Sequence, residues 1–481
     1  MTTVVGIDSS TQSCKVVVVD ERTGRTLAQA SAPHPDGTSV DPAAWLAALR
    51  TAWRDAGVPD RGDVVGVAVA GQQHGMVAVD RHGEPVHDAL LWNDVRSAAQ
   101  AARMLAEHGT EWWMERVDMA PVPSMTLSKL AWLRENDPGA ASRVERVMLP
   151  HDWLTLQLCG EFVTDRSDAS GTGYFDAAHD QYRPELLQEY FGAVPQLPRV
   201  LAAGEAAGTL GEEWGCGSGV VVGPGAGDNA AAALGLGLGE GEVTISVGTS
   251  GTVFACSAEP PRDPSGVTAG FADATGRFLP LLCTINAARV MTSTAELLGV
   301  GLDEFTRLAT SGASDAGGLT LLPYFDGERT PNLPKATGRL DGMTRASLTR
   351  ENLARAAVLS VANSLADCLS VLRGLDVAVE RVLLIGGGAK SEALCSVLPD
   401  TLGMPVDVPD TGEYVALGAA RQAAWVATGS FPEWERSVGR RLHPSSDTGA
   451  QRFRQRYGDA RANLETELAA DPTEQRPEPT D

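Results

Sequence analysis

Three short stretches rich in glycine and hydroxyl side chains lie far apart in the chain, and each could hold a phosphate group. The first is Asp8-Ser9-Ser10-Thr11 with Lys15 close behind, the second Gly248-Thr249-Ser250-Gly251, and the third Gly386-Gly387-Gly388 with Ser391. Tight turns of such residues bring backbone N–H groups within reach of an anion. Taken singly, each is explained equally well as a hairpin turn or a strand-to-helix loop. Two acids could add chemistry. Asp8 stands between a strand and its polar turn, where a carboxylate could hold the water shell of a Mg2+ ion or simply shape an Asx turn. Asp228 follows alternating glycines in GPGAGDNAAAALGLG, residues 223–237, at the start of an Ala-rich helical pattern. There it could accept a proton from a bound hydroxyl, or it could cap the helix.

A second set of residues suits a polyhydroxylated ligand. GQQHG, residues 71–75, places Gln72, Gln73 and His74 at the end of an apolar run, and LLWNDVR, residues 90–96, adds Trp92, Asn93 and Asp94. Amides, an imidazole and an aromatic face supply the directional hydrogen bonds and the stacking surface that a polyol needs. Trp92 fits core packing equally well. No G-x-x-x-x-G-K-[ST] motif occurs, because Ala389 precedes Lys390, so a P-loop fold is disfavoured.

These residues need elements to hold them. Residues 4–20, VVGIDSSTQSCKVVVVD, are two β-branched runs around a polar turn, a hairpin pattern, and VTISVGTSGTVFAC at 243–256 repeats the design. Buried strands are expected at 63–70, 219–222 and 381–385, and helices at 42–56, 353–372, 391–402 and 415–427. The alternation argues for an α/β protein whose two halves resemble each other. At 481 residues, two domains of about 200–250 residues are expected. The expected division is 1–240, 241–440 and a final segment 441–481, with the acidic, proline-containing tail from about residue 468 disordered.

Composition narrows the partners. A chain that is 43% hydrophobic and 21% charged can bury a large core, and 62 acidic against 39 basic residues give a formal net charge of −23. Such a surface repels nucleic acid and anionic membranes. Seven scattered cysteines without a C-x-x-C pair read as reduced thiols of a cytoplasmic protein. The start lacks a signal-peptide pattern, and no run of about 18 apolar residues indicates a membrane span.

Together, these stretches resemble the FGGY family of carbohydrate kinases, within the actin-like ATPase superfamily, and most closely the xylulokinase group of that family. IDSSTQSCK resembles the first phosphate loop, ISVGTSGTV the second and LLIGGGAKSE the adenosine-binding segment. GQQHG with LLWNDVR is similar to the sugar-binding pair of segments, and YFDGERTPNLP, residues 324–334, to a characteristic family stretch. The resemblance implies two actin-like, ribonuclease H-like α/β domains with a cleft between them, ATP and Mg2+ as cofactors, a sugar as second substrate, and a homodimer as a common assembly. It implies Asp228 as general base, with Asp8 near Mg2+, through water, and near the transferred phosphate. Gln73, His74, Trp92, Asn93, Asp228 and Asn229 are then expected on the sugar, and Ser9, Ser10, Thr11, Lys15, Gly248, Thr249, Ser250, Gly387, Gly388 and Ser391 on ATP. Gln73 departs from the methionine more common in bacterial xylulokinases, which leaves other ketoses and polyols open: ribulose, pentitols, gluconate or glycerol. A noncatalytic sugar or nucleotide sensor on the same scaffold is the rival from a different class.

Overall fold

The computed structural model describes residues 2–470. The opening hairpin is present as strands Thr3–Ser9 and Ser13–Asp20, paired antiparallel from Thr3 opposite Asp20 to Ser9 opposite Cys14. Val64–Gly71 lies parallel on the other side of Thr3–Ser9, and Val221–Val222 continues the sheet beyond it. Thr3–Ser9 is buried along its length, as a central strand of β-branched and small residues should be. The second hairpin, Glu242–Val247 with Gly251–Ala255, repeats this plan, with Arg381–Ile385 as the parallel neighbour and Val406–Pro409 beyond. Each hairpin thus turns its polar loop out at the same end as the loop that leaves its parallel neighbour.

The chain forms two compact units. Among the described residues, one comprises 2–240, 256–280 and 412–436; the other comprises 241–255, 281–411 and 437–470. The chain first crosses from one to the other at 240/241, and residues 256–280 and 412–436, which the expected division places in 241–440, belong to the first unit. The returning helix, Tyr414–Thr428, packs on Thr3–Ser9, on Val64–Gly71 and on the helix Asp228–Leu236. That contact depends on missing side chains: a Cβ at Gly418 would fall 1.8 Å from the carbonyl oxygen of Ala231. Alanine there would force the helices apart.

Helix Pro42–Asp55 begins with Pro42 in its first turn and is capped by Asp41, whose side chain accepts from the N–H of Ala43. Of the apolar face expected from spacing, Trp45, Leu46, Leu49 and Trp53, it buries Trp45, Leu49 and Trp53 and leaves Leu46 half-buried. The longest helix among the described residues, Arg350–Gly374, is apolar enough over 18 residues to cross a membrane, yet 83% of that window is buried within the protein, so it is a core helix. The last described helix, Gly449–Ala470, includes residues 468–470, where the tail was expected to begin. The remainder of that tail lies outside the described residues.

Candidate active site

The first hairpin turn, the C-terminal end of Val64–Gly71 and the start of Asp228–Leu236 meet in the first unit, and they carry Asp8, the GQQHG residues and Asp228. Ala226 and Gly227 pair in parallel with Ala70 and Gly71, which brings the glycine-rich loop alongside GQQHG. Asp228 then opens the helix, but Gly227 occupies the N-cap position and no side chain caps the first turn. The Asp228 carboxylate instead accepts from the backbone N–H of Asn229 at 2.8 Å and from Asn229 Nδ2 at 2.9 Å. It remains partly open to solvent. Helix capping therefore does not account for this acid.

Asn229 Nδ2 also donates to Gln73 Oε1 at 2.9 Å, so one amide joins the acid to the GQQHG loop. Gln73 is buried. His74 sits at φ +67°, a conformation uncommon for a residue with a side chain, and it is held from several directions. Its Nδ1 lies 2.8 Å from the carbonyl oxygen of Gly171, its carbonyl accepts from Lys129 Nζ at 2.6 Å, and its ring packs 5.5 Å from Phe271. Lys129 is fully buried; burial lowers its pKa to about 7, against the upward pull of Asp94.

Asp8 is buried at the edge of the first turn, where Ser10 Oγ donates to its carboxylate. Lys15 Nζ stands 4.0 Å from Asp8 and 2.5 Å from Glu413 Oε2 on the returning segment. Burial pushes the Asp8 carboxyl up to about 6, against the lowering effects of Ser10 and Lys15. Burial, with Asp8 and Asp168 adding like charge, pushes Asp228 up to about 7. Trp92 is 47% exposed, so its ring is not core, and its Nε1 donates to Thr11 Oγ1 at 2.8 Å, linking the aromatic segment to the first turn. Asn93 directs a buried Oδ1 that has no hydrogen-bond partner.

Beneath these loops lies a group that the sequence did not disclose. His151 is fully buried, with Nδ1 2.6 Å from Asp168 Oδ2 and Nε2 3.3 Å from Asp152 and 3.7 Å from Asp165. Burial alone would lower its pKa, but Asp152, Asp168 and Asp165 together push it up to about 10, which favours the imidazolium form. Its ring backs directly onto the glycine loop: a Cβ at Gly225, which has φ +89°, would fall 2.2 Å from His151 Cδ2. Asp168 also accepts from the backbone N–H of His74, and Ser167 Oγ accepts from Gly227 N at 3.1 Å. The cluster therefore supports both the Asp228 loop and the His74 loop.

In the second unit, the turn Gly248-Thr249-Ser250 is exposed, with Gly248 N donating to Ser250 O at 2.9 Å. Arg381–Ile385 leads into exposed Gly386 and Gly387 and buried Gly388, which packs against Val247. Ser391 caps the helix Glu392–Leu402, its hydroxyl accepting from Leu394 N at 3.3 Å.

Residues 3–235 match the N-terminal domain of the FGGY family of carbohydrate kinases, and residues 243–427 match its C-terminal domain. The chain belongs to this family. Among relatives of this FGGY kinase, the xylulose kinase of Streptomyces coelicolor is 46% identical over 434 residues, covering 89% of this chain and 88% of that protein. The xylulose kinase of Streptomyces rubiginosus is 44% identical, covering 91% of each. The crystal structure of xylulose kinase from Bifidobacterium adolescentis superposes with a TM-score of 0.90 at 42% identity, covering 96% of this chain and 99% of that one. The chain thus has the two-domain α/β fold of the FGGY kinases, and it is a carbohydrate kinase.

Proposed function

We propose that this FGGY kinase transfers the γ-phosphoryl group of ATP to the 5-hydroxyl of D-xylulose, giving D-xylulose 5-phosphate and ADP, with Asp228 as general base. The observation that carries the assignment of the base is the bond from Asn229 to both Asp228 and Gln73. It fixes a partly open carboxylate beside the loop that would bind the sugar. The similarity to xylulose kinases over nine-tenths of the chain supports the choice of sugar.

The chemistry asks mainly for alignment. Phosphoryl transfer passes through a loose transition state, so little proton transfer is needed before the P–O bond to ADP is largely broken. The 5-oxygen attacks phosphorus, ADP departs, and Asp228 takes the hydroxyl proton. A base with a pKa near 7 is about half ionised at neutral pH, so it is available as carboxylate and still holds the proton usefully. Gln73, His74, Asn93 and Asn229 would orient the sugar hydroxyls, with Trp92 stacking on its apolar face. Assignment of Ser9, Ser10, Thr11 and Lys15, and of Gly248, Thr249, Ser250, Gly387, Gly388 and Ser391, to ATP rests on family resemblance and on the N–H-rich turns they form.

The residues around Asp8 suit Mg2+. A buried carboxylate with only Ser10 and a shared Lys15 to offset its charge is a hard oxygen donor that a dication would keep ionised. Asp8 would hold the ion through its water shell, and when bound the ion offsets charge on the ATP phosphates. The seven cysteines are all free thiols, which accords with a reducing compartment and a cytoplasmic enzyme.

ADP release measured with D-xylulose, D- and L-ribulose, glycerol, gluconate and pentitols tests the sugar. D-Xylulose should have the highest kcat/KM. A clear preference for another acceptor would replace D-xylulose, whereas release with none of them would remove the kinase assignment.

A further inference from the structure

Residues 324–334, YFDGERTPNLP, have no role in the site described above, yet Glu328 within them is 1% exposed. Its Oε1 accepts from Ile285 N at 2.6 Å and from Arg329 N at 2.8 Å, and its Oε2 accepts from Asn286 Nδ2 at 3.1 Å. Asn286, equally buried, reaches back: its Nδ2 donates to Gly327 O at 2.6 Å and its Oδ1 accepts from Phe325 N at 3.1 Å. Thr330 Oγ1 adds a bond to Cys283 O at 2.8 Å. Two segments of the second unit, 283–286 and 325–330, are therefore locked together through buried side chains.

The first of these segments carries the second glycine turn. Thr284 stands opposite Gly251 in the sheet, and Ala288 N donates to Gly248 O at 3.1 Å. Both ends of the exposed turn Gly248-Thr249-Ser250 thus rest on residues 284–288. A carboxylate withdrawn from water is costly, and an apolar side chain would fill the same space without that cost. What the carboxylate adds is direction, because three N–H donors converging on its two oxygens set the path of residues 285 and 286. The other side of the lock is closed on itself, since Glu328 and Leu333 exchange backbone hydrogen bonds of 2.9 Å in both directions.

We propose that Glu328 is a positioning residue for the nucleotide: by holding Ile285 and Asn286 it keeps the Gly248–Gly251 turn in the form that receives the phosphates of ATP. The inference rests on the assignment of that turn to ATP. Glu328 itself donates nothing to a phosphate and acts only through the segment it holds. In Glu328→Gln one oxygen becomes an amide nitrogen, which meets an N–H donor whichever way the amide is turned. Segment 284–288 is then no longer fixed, and the N–H groups of the turn lose their common aim at an anion.

Isothermal titration calorimetry of the whole protein with Mg2+ and a nonhydrolysable ATP analogue, and separately with D-xylulose, tests the proposal. Glu328→Gln should weaken binding of the analogue at least about tenfold and leave D-xylulose affinity within about twofold of wild type. Asn286→Ala removes the other half of the lock, should act in the same way, and serves where Glu328→Gln does not fold. Thermal denaturation of each variant, with binding measured well below its midpoint, separates positioning from stability. A purely structural role lowers the midpoint and leaves the folded protein's affinity for the analogue intact. The proposal is overturned if the folded variants bind the analogue within about threefold of wild type, or if analogue and D-xylulose affinities fall together. Wild type that binds no analogue would remove the ATP assignment and this inference with it, whereas wild-type binding that the variants retain removes the inference alone.

Discussion

The side-chain amide of Asn229 donates to Asp228 and to Gln73, each at 2.9 Å, so the proposed base and the proposed sugar loop share a single donor group. Removing that amide with Asn229→Ala leaves Gln73 Oε1 without its donor and frees the Asp228 side chain to rotate. A lost charge-assisted hydrogen bond is worth about 1.5–3 kcal/mol, so kcat/KM for the sugar should fall between about 10- and 150-fold. Steady-state kinetics with saturating ATP checks this.

Asp228 must be ionised to accept a proton. Its pKa is raised to about 7, so the protonated, inactive form gains population as pH falls through that value. The sugar kcat/KM should rise with pH below about 7 and level off above it. The residual rate of Asp228→Asn should lack that limb.

Among the described residues, His151 is the basic side chain that faces the three buried acids Asp152, Asp165 and Asp168, behind the loops of the proposed base and sugar site. His151→Ala strands Asp152, Asp165 and Asp168, and breaking one side of such a buried ionic cluster costs about 3–5 kcal/mol. Thermal denaturation should show a markedly lower midpoint than wild type. A midpoint within a degree or two would mean that the acids are protonated and need no cation.

Lys129 holds the carbonyl of His74, whose backbone is in the left-handed region. With Lys129→Met that carbonyl loses its 2.6 Å donor and keeps Thr126 Oγ1 at 3.4 Å, a poor hydrogen bond. KM for the sugar should rise several-fold while KM for ATP stays near its wild-type value. Initial rates with each substrate varied in turn separate the two.

Both hairpins were legible because β-branched runs flanking a polar turn have few other ways to fold, and Arg381–Ile385 has the predicted bounds. The helix Tyr414–Thr428 was legible as a helix, but its place was not. An Ala-rich helix has small residues on several sides, and its contact with the first unit is set by close backbone approach at Gly6 and Gly418 to residues distant in sequence. The local sequence of Asp228 suited a cap as well as a base, and only the geometry shows Gly227 in the capping position. The His151 cluster left no signal because its acids are spread over residues 152–168, where Asp165 reads as an ordinary helix cap. It is one as well, accepting from Ser167 and Asp168.

The central claim is that Asp228 accepts the proton of the attacking sugar hydroxyl. Replacing its carboxylate with the isosteric amide in Asp228→Asn tests this most directly, with D-xylulose turnover and D-xylulose binding measured on the same preparation. Loss of a general base costs about 10²–10⁴ in rate, so kcat should fall by at least a hundredfold while calorimetric sugar affinity stays close to wild type. Turnover within tenfold of wild type would contradict the account.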